Sequence, residues 1–136
     1  MVQIGGYLCP DPAMLSSLVH ELFYRIQEIK NLVLRAIYFH QELIRIHPFA
    51  DGNGRTTRIA KNWMLMYDLY PPIFIKDDEE KKEYIQTLSA SFAQLERKPF
   101  EWNEHTISFF KQEIHRIYRN TNMMYNIIHN IGHLGE

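Results

Sequence analysis

One short stretch gathers a histidine, a carboxylate, two glycines and two guanidinium groups: His47-Pro48-Phe49-Ala50-Asp51-Gly52-Asn53-Gly54-Arg55-Thr56-Thr57-Arg58. That set suits phosphate chemistry. Histidine as a residue type titrates near neutral pH and can take a proton from a hydroxyl. Asp51 can hold a divalent cation through oxygen, as phosphate sites commonly do with Mg²⁺. Gly52 and Gly54 allow close backbone approach, and N–H groups at the start of a following helix favour an anion. Arg55 and Arg58 add planar forks that bind phosphate bidentately. The competing reading is an inert glycine turn between two core helices. A string this long and chemically mixed argues against it.

Two helices must hold such a loop. Upstream, Asn31 can start a helix whose stripe is Val33, Ala36, Ile37, His40, Leu43 and Ile44, and one further step reaches His47. The face that packs therefore also aims the histidine. His40, on that same apolar stripe, reads as a satisfied core residue rather than a ligand. Downstream, Arg55, Arg58 and Asn62 share an arc of ~60° at helical periodicity. Ile59, Ala60, Trp63, Met64 and Tyr67 form the apolar side beside it, and Tyr70-Pro71-Pro72 ends the helix.

The remaining elements follow from the same signals. Asp11 as N-cap and Pro12 open a first helix with Leu15, Leu18, Val19, Leu22 and Ile26 inward. Ile73-Phe74-Ile75 is a short connector, and Asp77-Asp78-Glu79-Glu80 reads as the solvated start of a fourth helix. Its buried stripe is Tyr84, Ile85, Leu88, Phe92 and Leu95, and Lys98-Pro99 breaks it. A last helix begins near Asn103 with Ile107, Phe110, Ile114, Ile117 and Tyr118 inward. Residues 121–136 are expected to fray. Residues 2–8 alternate briefly and predict one short strand. The expectation is an all-α single domain over 1–136, with the loop between two antiparallel core helices.

Composition narrows the function classes. The chain has 136 residues, 46% hydrophobic and 23% charged, which is ordinary globular composition rather than disorder. A net charge of −1 gives no footprint for nucleic acid or an anionic membrane. The single cysteine, Cys9, cannot form an internal disulfide, and no His, Cys or carboxylate set has zinc-site spacing. There is no apolar run of bilayer length and no signal-peptide pattern, so a cytoplasmic site of action is expected, in the cell of origin or in a host.

The stretch resembles the signature of the Fic (Fido) family, H-P-F-x-(D/E)-G-N-(G/K)-R-x-x-R, and matches it at every specified position. The similarity runs from Cys9-Pro10-Asp11-Pro12 to Ile75 and continues more loosely to Phe110. Where many relatives carry Gly-Asp before Pro-Phe, this chain has Glu96-Arg97-Lys98 before Pro99-Phe100. The resemblance implies transfer of AMP from ATP, with Mg²⁺, to a Ser, Thr or Tyr hydroxyl of a target protein. Carried over, His47 is the general base and Asp51 the Mg²⁺ ligand. Gly52, Asn53 and Gly54 make the anion hole for the α- and β-phosphates. Arg55 binds near the β-phosphate and Arg58 the γ-phosphate, Asn62 and Tyr84 contact ribose or adenine, and Phe49 anchors the loop in the core. Gly54 favours nucleotidyl transfer, since the phosphorylating Doc branch carries Lys there.

By the same resemblance residues 1–9 correspond to the second strand of a flap that aligns the target, with the first strand absent. Family members are often restrained by (S/T)-x-x-x-E-(G/N), whose Glu pairs with the second motif Arg. Ser17-Leu18-Val19-His20-Glu21-Leu22 is the nearest match and lacks the final residue. An inhibitory partner or a preceding N-terminal segment would then supply the restraint. Two other readings stay open: a non-catalytic nucleotide- or partner-binding module, and another phosphate-group transfer or AMP removal at the same site.

Overall fold

The computed structural model describes residues 3–4, 7–97 and 103–134. The apolar stripes build helices α1 (Leu15–Glu28), α2 (Leu32–Ile46), α3 (Asn53–Tyr67), α4 (Asp78–Arg97) and α5 (Glu104–Leu134). Two short strands, β1 (Gln3–Ile4) and β2 (Tyr7–Leu8), pair antiparallel with Ile4 opposite Tyr7. Apart from that pair the described fold is all-α. The one strand expected over 2–8 is thus two, because a lone strand leaves its N–H and C=O groups without partners. No helix among the described residues is long and apolar enough to cross a membrane.

Helix starts fall where capping chemistry puts them. Asp11 accepts from Ala13 N at 2.8 Å and opens a 3₁₀ turn, Pro12–Met14, that runs into α1. Asn31 accepts from Leu34 N at 3.0 Å at the start of α2. Asp77 accepts from Glu80 N at 2.8 Å, and Asn103 from Thr106 N at 2.8 Å. The Lys98-Pro99 break lies outside the described residues.

Helix α2 is the hub. One side, through Phe39, Leu43 and Ile46, packs on Leu22 of α1 and on Ala60 and Met64 of α3. The other, through Ile37 and Ile44, meets Tyr84, Leu88 and Phe92 of α4 and Phe109 and Phe110 of α5. Tyr7 of β2 joins this cluster, its ring centroid 5.2 Å from that of Phe92. Ala36, Leu65, Ile73 and Ile117 close the third side.

Three expected faces are turned. On α5 the inward residues are Thr106, Phe109, Phe110, Glu113, Arg116, Ile117 and Asn120, while Ile107, Ile114 and Tyr118 are exposed. On α3 the buried row is Asn53, Thr57, Lys61 and Leu65, and Ile59, Trp63 and Tyr67 lie outward, Tyr67 at 80% exposure. In the acidic run Glu80 is buried rather than solvated.

One cause links the three: a buried ionic chain. Lys61 Nζ donates to Glu113 Oε1 at 2.9 Å, and Arg116 Nη1 lies 3.3 Å from Glu113 Oε2. Arg116 Nε and Arg119 Nη1 reach Glu80 Oε1 at 2.8 and 2.9 Å. Burial pushes the Glu80 carboxyl up, but Lys76 N–H, Arg116 and Arg119 outweigh it and hold it at about 2. That contribution to stability is present above the ordinary carboxylate range and is lost as pH falls toward 2.

Past Asn120, α5 continues as helix to Leu134. Residues 121–132 are exposed along their whole length, Met124, Ile127, Ile128 and Ile131 included. Ending the chain after Asn122 is therefore expected to lower helical ellipticity yet change unfolding free energy by no more than ~0.5 kcal/mol. Urea unfolding followed by circular dichroism checks it, and a loss well above 1 kcal/mol would show that this end packs.

Candidate functional site

The motif loop begins as a strained helix end. His47 is the C-cap of α2 in the left-handed conformation, φ 54° and ψ 58°, and its N–H returns to Leu43 O at 3.0 Å. A non-glycine residue pays for that conformation, and such strain clusters at working sites. Nδ1 of His47 is enclosed without a hydrogen-bond partner among the described residues, so Nε2 is the open ring nitrogen.

That histidine lines a cavity of about 700 Å³ with Leu8, Cys9, Pro10, Asp11, Pro12, Leu15, Pro48, Phe49 and Ala50. Phe49 is 47% exposed and forms its wall, so it does not anchor the loop in the core. The anchor is Asn53. Its side chain accepts from Phe49 N at 2.9 Å and donates to Phe49 O at 2.7 Å, and it is buried. What Asn53 can offer an anion is therefore its backbone N–H.

Helix α3 starts without a side-chain cap. Gly52, φ 75°, is the N-cap, and the first internal bond runs from Thr56 N to Gly52 O at 2.9 Å. The N–H groups of Asn53, Gly54 and Arg55 have no intrahelical acceptor, which makes this end an anion site. Arg58 folds back over it: a Cβ placed on Gly54 would lie 3.0 Å from Arg58 Nη1. Arg55 Nη2 stands 3.7 Å from the corresponding point on Gly52. Glycine at 54 is what leaves room for the guanidinium.

Asp51 projects outward, its side chain 94% exposed. One oxygen accepts from Gly52 N at 2.7 Å, and the other lies 3.7 Å from Arg55. Among the described residues no three His, Cys, Asp or Glu are grouped to hold a metal. A cation on Asp51 would complete its shell with phosphate oxygens and water, the arrangement Mg²⁺ favours.

From the start of α3 a second cavity, about 670 Å³, opens along Arg55, Arg58, Asn62, the 73–78 connector and Tyr84. The structure thus joins the four residues expected on the nucleotide side, while His47 lines the first cavity. Two of the four are already engaged. Asn62 holds the connector, donating to Ile73 O at 3.1 Å and accepting from Ile73 N at 2.8 Å. The Tyr84 hydroxyl sits 2.6 Å from His40 Nε2. Lys61 and Glu113 form part of the same wall, and sequence reasoning missed them. The readable signal was the four-residue spacing Asn53, Thr57, Lys61, Leu65, which marks one buried face. Glu21, from the incomplete restraint pattern, pairs with Arg25 on its own helix at 2.6 Å.

Residues 2–65 match the Fic/DOC family. Over that stretch the chain is similar to the Fic/DOC family. Curated relatives agree: the "Protein adenylyltransferase Fic" of Drosophila persimilis is 39% identical over 87 residues, covering 61% of this chain and 17% of its own length. The protein of the same name in Culex quinquefasciatus is 34% identical over 87 residues, again 61% of this chain and 17% of its own. The chain therefore spans about a sixth of the curated relatives it matches. The Fic/DOC stretch ends at Leu65, so α1, α2 and nearly all of α3 lie inside it, whereas Tyr84, Glu113 and the connector lie beyond.

Proposed function

We propose that this chain transfers AMP from ATP to a Ser, Thr or Tyr hydroxyl of a target protein. The observation that carries this reading is the uncapped start of α3 with Arg58 folded over Gly54, leading into a cavity of ligand size. Backbone N–H groups of Asn53, Gly54 and Arg55 receive the α- and β-phosphates, and Arg55 and Arg58 bind toward the β- and γ-phosphates. Asp51 would hold Mg²⁺, which supplies neutralising charge at the phosphates. The target hydroxyl enters from the His47 cavity beside β2.

The balance of the reaction follows. His47 Nε2 accepts the hydroxyl proton as the target oxygen bonds to the α-phosphorus. The α–β bridging P–O bond breaks, and its electron pair leaves on pyrophosphate. Fixed N–H groups and guanidinium forks suit a reaction whose charge builds on phosphate oxygens. The relatives' printed name supports the same activity.

The chain is incubated with Mg²⁺ and ATP labelled at either the α- or the γ-phosphate, with protein acceptors and self-modification both counted. Covalent α-label alone is expected; γ-label would move the reading to phosphorylation. ATP bound tightly without attachment of either label would favour a binding module. Asp51→Ala is expected to lose Mg²⁺-dependent ATP affinity as well as rate, measured by calorimetry with and without EDTA. Affinity that is equally Mg²⁺-dependent in this variant would remove Asp51 as the cation ligand.

A further inference from the structure

We propose that Arg119 and Asn120 of α5 are positioning residues for the nucleotide, acting through the connector between α3 and α4. Neither side chain lines the cavity that takes ATP in the reading above. Their role toward a nucleotide rests on that reading, whereas the fastening of the connector is a property of the protein without ligand.

From Tyr70 to Lys76 the chain forms neither helix nor strand, so its backbone polar groups need partners from elsewhere. Three successive carbonyls find them on side chains from two helices. Asn120 Nδ2 donates to Pro72 O at 2.7 Å, Asn62 Nδ2 to Ile73 O at 3.1 Å, and Arg119 Nη2 to Phe74 O at 2.9 Å. Each acceptor is a carbonyl, which only accepts, so the donor in each bond is fixed. Asn62 also accepts from Ile73 N at 2.8 Å, and Glu80 Oε2 from Lys76 N at 2.7 Å. Arg119 ties the two ends of the connector together. Its Nη1 donates to Glu80 Oε1 at 2.9 Å while its Nη2 holds Phe74.

The connector is a wall of the cavity. Ile73, Phe74 and Ile75 join Ile59 and Ile85 as apolar lining, and Arg55 and Arg58 supply the cations. With phosphates on the arginines and the start of α3, the flat base of ATP is left to the apolar part. Ile73 is 4% exposed and held by packing, but Phe74 is 59% exposed, and its carbonyl is held by Arg119 instead. A wall ordered anew at each binding event would lose backbone and rotamer freedom then; one fastened on folding has lost it beforehand. Both α5 residues lie beyond the stretch that matches the Fic/DOC family, so a part of the chain far from the motif sets the base end of the site.

Arg119→Met and Asn120→Ala remove the two α5 donors and leave every cavity-lining side chain in place. Two measurements on the purified chain decide the matter. Without nucleotide, amide exchange at Ile73 and Lys76 should quicken ~5-fold or more in either variant, with α2 amides unchanged. Their own partners, Asn62 and Glu80, are untouched, and Glu80 keeps Arg116. By calorimetry, ATP and adenosine should both weaken ~5–10-fold, while tripolyphosphate, which needs only the arginine end, changes under ~2-fold. Unchanged exchange at Ile73 and Lys76, or equal losses for adenosine and tripolyphosphate, would overturn the proposal. Should Asn120→Ala fail to fold, since Asn120 is 5% exposed, Arg119→Met gives both readouts from a side chain 33% exposed. If wild type binds none of the three probes, the proposed function fails, and amide exchange still decides whether α5 fastens the connector.

Discussion

Replacing His47 is expected to slow AMP transfer by ~10²-fold or more while ATP affinity changes by well under tenfold. The two effects separate because of where the groups lie. Arg55 and Arg58 line one cavity, and His47 lines another. Removing the imidazole leaves the uncapped start of α3, Asp51 and both guanidinium groups in place. Only the transition state uses the base, so the loss falls on rate. His47→Ala brings a complication that the backbone makes plain: at φ 54° an alanine is strained. Asn tolerates that conformation better and cannot serve as the base, so His47→Asn should show the same rate loss with less disturbance. Single-turnover transfer of α-label and calorimetric ATP binding measure the two quantities. Equal transfer by wild type and both variants would sink the general-base role.

Glu113→Ala is expected to cost ~3–5 kcal/mol of unfolding free energy, the largest effect on stability from a single polar residue here. Glu113 is 0% exposed and faces two cations, Lys61 at 2.9 Å and Arg116 at 3.3 Å. Arg116 retains Glu80, but Lys61, 2% exposed and already lowered by its burial, loses its carboxylate. A buried ammonium without a partner is the costly species. Lys61→Met should cost distinctly less, because Glu113 keeps Arg116 and the methionine fills the space. Urea unfolding of the three proteins, with the slope held constant, tests the order. A larger loss for Lys61→Met than for Glu113→Ala would show that Lys61 stabilises by packing rather than by charge.

The sequence by itself determined the elements and the chemistry carried on one loop. Asp11, Asn31 and Asn103 announced three helix starts because capping is a local matter of one side chain and an N–H group two or three residues on. The motif was legible for the same reason: Gly52, Gly54, Arg55 and Arg58 are brought together by a single turn and one helix face. His40 was readable as core because the apolar spacing of α2 left no other place for it.

What only the tertiary structure decided is which of two plausible faces each helix buries. On α3 the apolar Ile59, Trp63 and Tyr67 looked inward, yet the helix turns in Asn53, Thr57 and Lys61. On α5 Ile114 and Tyr118 looked inward, yet Glu113 and Arg116 hold that place. Hydrophobic spacing cannot foresee this, because the burial of Lys61 depends on a carboxylate fifty-two residues away, and that of Arg116 on Glu80 of another helix. Phe49 went outward for a related reason: Asn53 closes the loop through Phe49's backbone and leaves its side chain to the cavity. Ionic and hydrogen-bond partners distant in sequence, once paired, outweigh the apolar area that a different rotation of the helix would have buried.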